Sequence, residues 1–256
     1  MHRLFRANSI SSLLRLRRSR EAEEAKLVPR LNRPLARPDL NELRTYYTAT
    51  MALAQGSSTH PGLPPELVIY ICQLAELDVI HIRESPEGTR EVRAWSSKVE
   101  SRLWFQTEPL TKQMLGRIKS VQLVTMSRHQ GWVDNPHVGS WSWFEIRVAR
   151  PIGEDSSQLE AKCRPEGDEV SWRSHSHPAV LETVSQEPEF FEHKGFVFGP
   201  DSPLWDEVAE GDVLQVMMKA QFSGWANVAS DGALKICTWW EPSSEMLNSL
   251  YNGSKC

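Results

Sequence analysis

The chain has no long apolar run: of its 256 residues 40% are hydrophobic, yet no uninterrupted stretch approaches the ~18 residues that a bilayer-crossing helix needs, so no transmembrane segment is expected. Cysteine is scarce. Cys72, Cys163, Cys237 and Cys256 are far apart, form no Cys-x-x-Cys pair and follow no secretory leader, which argues against a disulfide framework or zinc knuckle and for an intracellular, cytoplasmic or nuclear protein. Also missing are a Gly-x-Ser-x-Gly elbow, a phosphate-cradling glycine loop and a His-Glu-x-x-His pair. No catalytic residue, metal-ligand set or cofactor is assigned on that basis, and the chain reads as a non-enzyme. Tryptophan is absent before Trp95, and all ten lie between Trp95 and Trp240.

Charge of one sign is missing where the other gathers. Met1 to Arg44 hold 11 Lys or Arg against 5 Asp or Glu, while the rest of the chain holds 18 against 28. The net −4 therefore hides a basic arm on an acidic body. An acidic body offers no face to a phosphate backbone, so no nucleic-acid partner is expected. The first 20 residues carry Arg3, Arg6, Arg15, Arg17, Arg18 and Arg20 among leucines and serines with no acid, a composition shared by mitochondrial presequences and by disordered basic tails. Pro29, Pro34 and Pro38 then forbid a continuous helix, so residues 1–40 are read as a disordered arm and linker.

Residues 41–100 are read as short helices. Asn41 to Ala54 fits a helix capped by Asp39, with Leu43, Tyr47 and Met51 at four-residue spacing. A second, amphipathic helix is expected over residues 63–77, with prolines suited to a first turn, Glu66 near the positive helix start and Leu67, Ile71 and Leu74 along one side. Its opening, Leu63-Pro64-Pro65-Glu66-Leu67, resembles the start of an F-box, the motif that docks substrate adaptors on the Skp subunit of cullin ubiquitin ligases. The resemblance implies a Skp-like partner bound through Leu63, Pro64, Leu67, Ile71 and Leu74. An F-box runs for about three helices, whereas the helical pattern here breaks over Ile82 to Thr89, at Pro86 and Gly88.

From Arg90 onward short β-branched and alternating segments separated by Gly, Pro, Asp and Ser clusters replace helical periodicity, the texture of an antiparallel sandwich. Strands are expected over 118–126, 142–149, 159–163, 169–173, 179–185, 190–198, 212–220 and 233–240, a number that suits a jelly roll, with residues 101–241 as the sandwich domain and 242–256 as a tail.

Two segments combine large aromatics with turn residues: residues 127–145, containing Gln130-Gly131-Trp132 and Gly139-Ser140-Trp141-Ser142-Trp143-Phe144-Glu145, and residues 203–228, containing Trp205, Gly211-Asp212 and Gly224-Trp225-Ala226-Asn227. Together with the Leu-Pro-Pro-Glu-Leu helix, this order resembles a group of uncharacterised fungal proteins whose C-terminal part is similar to galactose-binding-like jelly rolls, over roughly residues 63–241. Arg128 and His129 stand where that pattern has His-Asp, which puts in doubt a cation or sugar-hydroxyl role there. The implied fold is mainly β, an antiparallel jelly-roll sandwich behind a short helical region.

Alternation places Trp141 and Trp143 on one face of their strand and Phe144 on the other. Two readings of the tryptophans fit. In one, Trp132, Trp205 and Trp225 form a rim that stacks on a sugar or protein ligand, with Gln130, Asn135, Glu145 and Asn227 as hydrogen-bond partners; in the other they plug the ends of the sandwich. His175-Ser176-His177 has no third ligand at diagnostic spacing, and the following Pro178 suggests exposed histidines in a turn. The functional expectation is a protein that binds a protein or glycan, with an F-box-type adaptor and a sugar-active enzyme built on a carboxylate pair among Glu187–Glu192 or Asp201–Asp212 as the alternatives.

Overall fold

A computed structural model of the chain describes residues 29–31, 38–130, 139–153, 158–178 and 189–252. Helix α1 (Leu40–Gln55) starts where the sequence places it. The Asp39 carboxylate accepts from the backbone N–H groups of Asn41 and Glu42, and Glu42 accepts from the Asp39 N–H, a complete capping box. Helix α2 (Pro65–Leu74) has proline in its first turn, where the missing N–H has no partner to lose. Glu76, at φ 53°, then turns the chain out of the helix, and Asp78 already belongs to a strand.

The strands are β1 (Asp78–Glu84), β2 (Arg90–Arg93), β3 (Glu100–Gln106), β4 (Ile118–His129), β5 (Ser142–Pro151), β6 (Leu159–Ala161), β7 (Ser171–Ser176), β8 (Phe191–Phe198), β9 (Val213–Ala220) and β10 (Ala226–Trp239). A short helix α3 (Lys112–Leu115) precedes β4, and α4 (Ser244–Asn252) follows β10. They form two antiparallel sheets. In the first, β10 lies between β4 and an edge made of β1 and β2 end to end, and β8 flanks β4. In the second, β9 lies between β3 and β5, and β6 and β7 share the far side of β5.

Taking β1 with β2 and β6 with β7 as single columns, the first column pairs with the last, the second with the seventh, the third with the sixth and the fourth with the fifth. That is one long hairpin rolled over on itself, the connectivity of a jelly roll. The expected strands from Ile118 onward are found, apart from 179–185, which lies outside the described residues. The sequence reading missed β1, β2 and β3, the first two of which lie ahead of residue 101. Pro86 and Gly88, read there as a break in a helical pattern, sit in the β1–β2 connection. Strand β10 also starts at Ala226 and not at Ala233, because Ala229, Ser230 and Gly232 hide the β-branched signature of a strand.

The main core lies between the sheets. Leu123 of β4, Phe144 and Ile146 of β5, Leu214, Val216 and Met218 of β9 and Leu234 of β10 meet Trp104 and Phe105 of β3. The Trp104 indole packs edge-on to Phe105 at 5.1 Å between ring centres and tilted on Phe144 at 5.7 Å. It fits because position 232 is glycine: a Cβ there would lie 2.5 Å from Trp104 Cη2. A second cluster gathers round Trp240, just past β10, against which Ala54, Val68, Cys72 and part-buried Leu43, Tyr46, Leu63 and Tyr251 pack. It joins α1, α2 and α4 to the end of the sandwich where β10 stops.

The expectation of a disordered arm through residue 40 needs correction at two places. Pro29, Arg30 and Leu31 lie on the outer face of the first sheet, with Leu31 buried against Val124 and Ala233, and Asp39 and Leu40 belong to the start of α1. The basic first 20 residues, and with them the presequence question, lie outside the described residues.

Candidate functional site

The residues expected to form a ligand rim do not come together. Gln130, Trp225 and Asn227 stand at the end of the sandwich where β4 finishes, whereas Trp205 stands at the other end, in a single 3-10 turn (Trp205–Glu207). Trp132 and Asn135 lie outside the described residues.

The described members are mostly used inside the fold. Asn227 is fully buried, and its amide donates to Trp143 O at 2.7 Å and Lys219 O at 3.4 Å, so that a side chain of the first sheet ties two strands of the second. Trp225 is buried, 6.3 Å from the His129 ring, behind Gly224 at φ 91°. Gln130 Oε1 accepts from the Ala226 N–H at 3.1 Å. Trp205 donates its indole N–H to Gly199 O at 2.7 Å and packs on the main core.

Asp212 fastens the segment that holds Trp205. It is buried, takes Arg150 Nε at 2.7 Å and the Ala209 N–H at 2.8 Å, and follows Gly211 at φ 86°. Burial alone would raise its pKa; the Arg150 bond, the Ala209 N–H and nearby Lys162 outweigh this and hold it below the usual carboxylate range. Trp205 and Trp225, with the turns that carry them, are thus held by contacts within the fold.

Glu145 points to the outer face of the second sheet, away from Phe144. It accepts from Trp143 Nε1 at 2.6 Å and Ser171 Oγ at 2.9 Å and pairs with Lys219 Nζ at 2.7 Å, while Arg173 lies 4.7 Å above the Trp143 ring. Burial pushes the Glu145 pKa up, but Lys219 and the two hydrogen bonds prevail and lower it.

The first signature segment also feeds a cluster that the sequence reading misplaced. His175 and His177, expected in an exposed turn, face inward: His177 is buried and His175 stacks on Phe144 at 4.8 Å. A continuous chain of side-chain contacts runs from Ser142 Oγ to His177 Nδ1 (2.8 Å), His177 Nε2 to Ser127 Oγ (3.1 Å), Ser127 to Thr125 (2.8 Å), Thr125 to His175 Nε2 (3.0 Å) and His175 Nδ1 to Ser174 Oγ (3.1 Å). It crosses from β5 to β4 and back to β7. His193 of β8 and His129 of β4 stand 5.2 and 6.2 Å from the His177 ring.

Strand β8 approaches β7 closely here, since a Cβ on Gly195 would fall 2.0 Å from Ser174 Oγ. Burial first, then the neighbouring imidazoles, lowers the His175 pKa to about 3 and that of His177 well below its ordinary value. Neutral imidazoles suit such a chain, because each then has one donor and one acceptor nitrogen. Among the described residues no group of three or more His, Cys, Asp or Glu is placed to hold a metal ion.

The helix candidates divide. Leu63 packs into the Trp240 cluster, and its carbonyl accepts the Tyr251 hydroxyl at 2.6 Å; Pro64 caps α2. Val68 and Cys72 form the buried face of α2. Leu67, Tyr70 and Leu74 are 48%, 56% and 65% exposed, with Ile71 half-buried beside them. Tyr70, three residues after Leu67, lies exposed beside these partner-face candidates but is not picked out by the Leu67, Ile71 and Leu74 spacing. At the junction of helices and sandwich a cleft of about 210 Å³ is lined by His81, Met114, Arg117, Thr238, Trp239 and Trp240. Arg117 pairs with Glu241 at its edge at 2.9 Å.

No family model matches the chain, and no curated protein matches its sequence. Among solved structures, the crystal structure of the infectious bursal disease virus VP2 subviral particle aligns with a TM-score of 0.31 and 10% identity, over 64% of this chain and 34% of that one. The structure of infectious bursal disease virus Gt strain aligns with a TM-score of 0.30 and 9% identity, over 62% and 32%. The chain thus spans about a third of the length of the proteins it aligns with. The fold assignment rests on the strand order given above.

Proposed function

We propose that the chain is a non-enzymatic interaction protein in which the jelly roll is the rigid support and the outward face of α2 docks a protein partner. One observation carries this reading: Leu67, Tyr70 and Leu74 point to solvent along one line of a helix whose other face, Val68 and Cys72, is sealed against the Trp240 cluster. Large apolar side chains at i, i+3 and i+7 are what a groove or a second helix reads on a partner. Because α2 is pinned by Trp240, the stripe is held in place before binding, which reduces the ordering cost of association.

The Leu63-Pro64-Pro65-Glu66-Leu67 opening supports a specific form, a ubiquitin-ligase adaptor whose partner is a Skp-like subunit. Since α2 is followed by β1, such docking would use α2 with α1 and no later helix. Affinity capture with the full chain tests the general reading. A partner enriched by the wild type should fall at least tenfold with Leu67→Asp/Leu74→Asp, and identical partner sets for both would overturn it. A purified Skp-like subunit tests the specific form: failure to bind the wild type removes the adaptor and leaves the general reading standing.

Glycan binding is the second reading, and one observation favours it over the dispersed rim. The cleft beside Trp239 and Trp240 combines indole surface with the polar groups of His81, Arg117 and Thr238. A glycan array probed with the full chain should give signals that Trp239→Ala removes; a blank array removes this reading.

A further inference from the structure

We propose that the outer face of the first sheet carries a peptide-binding groove whose occupant is the chain's own basic arm, recognised as an extended segment with a leucine two residues after a proline carbonyl. The groove originates in an irregularity of β10. Its register with β4 runs to Ala229 opposite Ser127 and resumes at Asp231 opposite Met126, so Ser230 is an extra residue, a β-bulge. Bulges re-aim side chains, and here Ser230 and Asp231 both reach the arm. Ser230 Oγ donates to Pro29 O at 2.8 Å, and Asp231 Oδ2 accepts from the Leu31 N–H at 3.2 Å.

In extended backbone the C=O of one residue and the N–H two residues on point the same way, so the two side chains take the place that a neighbouring strand would fill. Proline suits the first position, which needs no N–H. The Asp231 carboxylate is preset by its other oxygen, which accepts from the Gly232 N–H at 2.9 Å and lies 3.4 Å from Ser85 Oγ. The leucine supplies selectivity: Leu31 is 6% exposed, against buried Val124 and Ala233 with Ile82 and Met126 beside it. Arg30, between the two anchoring residues, turns outward to Glu87 at 3.4 Å with both groups exposed, an ion pair of little weight that leaves this position permissive.

Ser230 Oγ also lies 3.2 Å from Met126 O of β4, and Asp231 also holds Gly232, so the two bulge residues form a clasp that joins the passing backbone of residues 29–31 to the sheet itself.

The test uses the full chain and a fluorescent peptide of residues 26–34. Leu31→Asp unlatches the arm, so this variant should bind the peptide saturably, the wild type at least tenfold more weakly because its groove is filled, and Leu31→Asp/Asp231→Ala at least tenfold more weakly because the clasp is gone. Equal binding by the three proteins, or none by Leu31→Asp, overturns the proposal. Native-state trypsin digestion gives a second readout without the buried aspartate: cleavage after Arg30 should quicken at least fivefold in Ser230→Ala at an unchanged melting temperature. An unchanged cleavage rate overturns the clasp.

Discussion

Asn227 and the histidine chain place polar groups where a sandwich of this size normally keeps apolar ones, and each carries a measurable cost. The Asn227 amide faces two backbone carbonyls. Asn227→Ala should lower stability by about 1–3 kcal/mol, the range for leaving buried acceptors without their donor, and Asn227→Asp should cost more because a carboxylate would face those same oxygens. Urea unfolding of the two variants checks the order; an aspartate no worse than alanine contradicts the assigned tie. Gly232→Ala should cost about 1–3 kcal/mol by overpacking, since the Trp104 indole it would strike is itself held by Phe105 and Phe144.

The histidines give a pH signature whose sign is fixed by their lowered pKa values. Unfolded, each takes a proton near pH 6.5; folded, His175 does so only at about 3 and His177 also far below its ordinary value. The unfolded state therefore binds more protons as pH falls below 6.5, and the stabilisation present above that value is progressively lost. Each suppressed imidazole contributes about 1.4 kcal/mol per pH unit, so His175 and His177 together predict a loss of about 2–3 kcal/mol between pH 7.5 and 5.5. Glu145 and Asp212, with lowered pKa values, act in a separate window: their stabilisation is lost only as pH falls below the ordinary carboxylate range, near 4. A urea midpoint unchanged from pH 7.5 to 5.5 would contradict the buried, neutral histidine chain.

At the scale of elements, α1 and α2 were the most legible, because capping and proline signals are local: Asp39 three residues before Glu42 and two prolines before Glu66 mark their starts within the sequence itself. Strands β4, β5, β8 and β9 were legible from β-branched and aromatic alternation. Strands β1 and β2 were not, since both are edge strands lying over β10, with charged residues such as Arg83, Glu84 and Arg90 among their apolar ones. For α2, spacing singled out Leu67, Ile71 and Leu74 and left unread both exposed Tyr70 and the buried pair Val68 and Cys72. With Leu67, Val68, Tyr70, Ile71, Cys72 and Leu74 crowded into one short helix, apolar spacing alone fits more than one buried face, and only the position of Trp240 selects Val68 and Cys72. The helix also separates support from recognition. Val68→Asp should unfold the helical layer and lower the melting temperature, whereas Leu67→Asp/Leu74→Asp should leave it unchanged, as circular dichroism melts of both variants would show. Asp39→Ala, which removes the capping box of α1, should cost about 1 kcal/mol.

For the whole molecule, the rolled hairpin places the signature tryptophans at both ends of the sandwich, and no reading of spacing could separate them: which end a loop occupies is set by pairings between columns far apart in sequence. The rim of Gln130, Glu145, Trp205, Trp225 and Asn227 dissolved for that reason, although each residue was rightly picked out as something more than ordinary strand packing. What emerges is a double sheet with a helical layer at one end and residues 29–31 held on the outer face of the first sheet. Trp240 is the joint between sandwich and helices, with Tyr46 and Tyr47 both edge-on to it at 5.5 Å between ring centres. If recognition belongs to the helical layer, the outward stripe of α2 is the contact that the proposed function requires. The most direct measurement is site-specific photo-cross-linking of the full chain in its cells of origin, with the probe placed at Tyr70 or, as a control on the sandwich side, at exposed Trp95. The account predicts a discrete adduct from position 70 that disappears with Leu67→Asp/Leu74→Asp; the same adducts from both positions, or none from position 70, would contradict it.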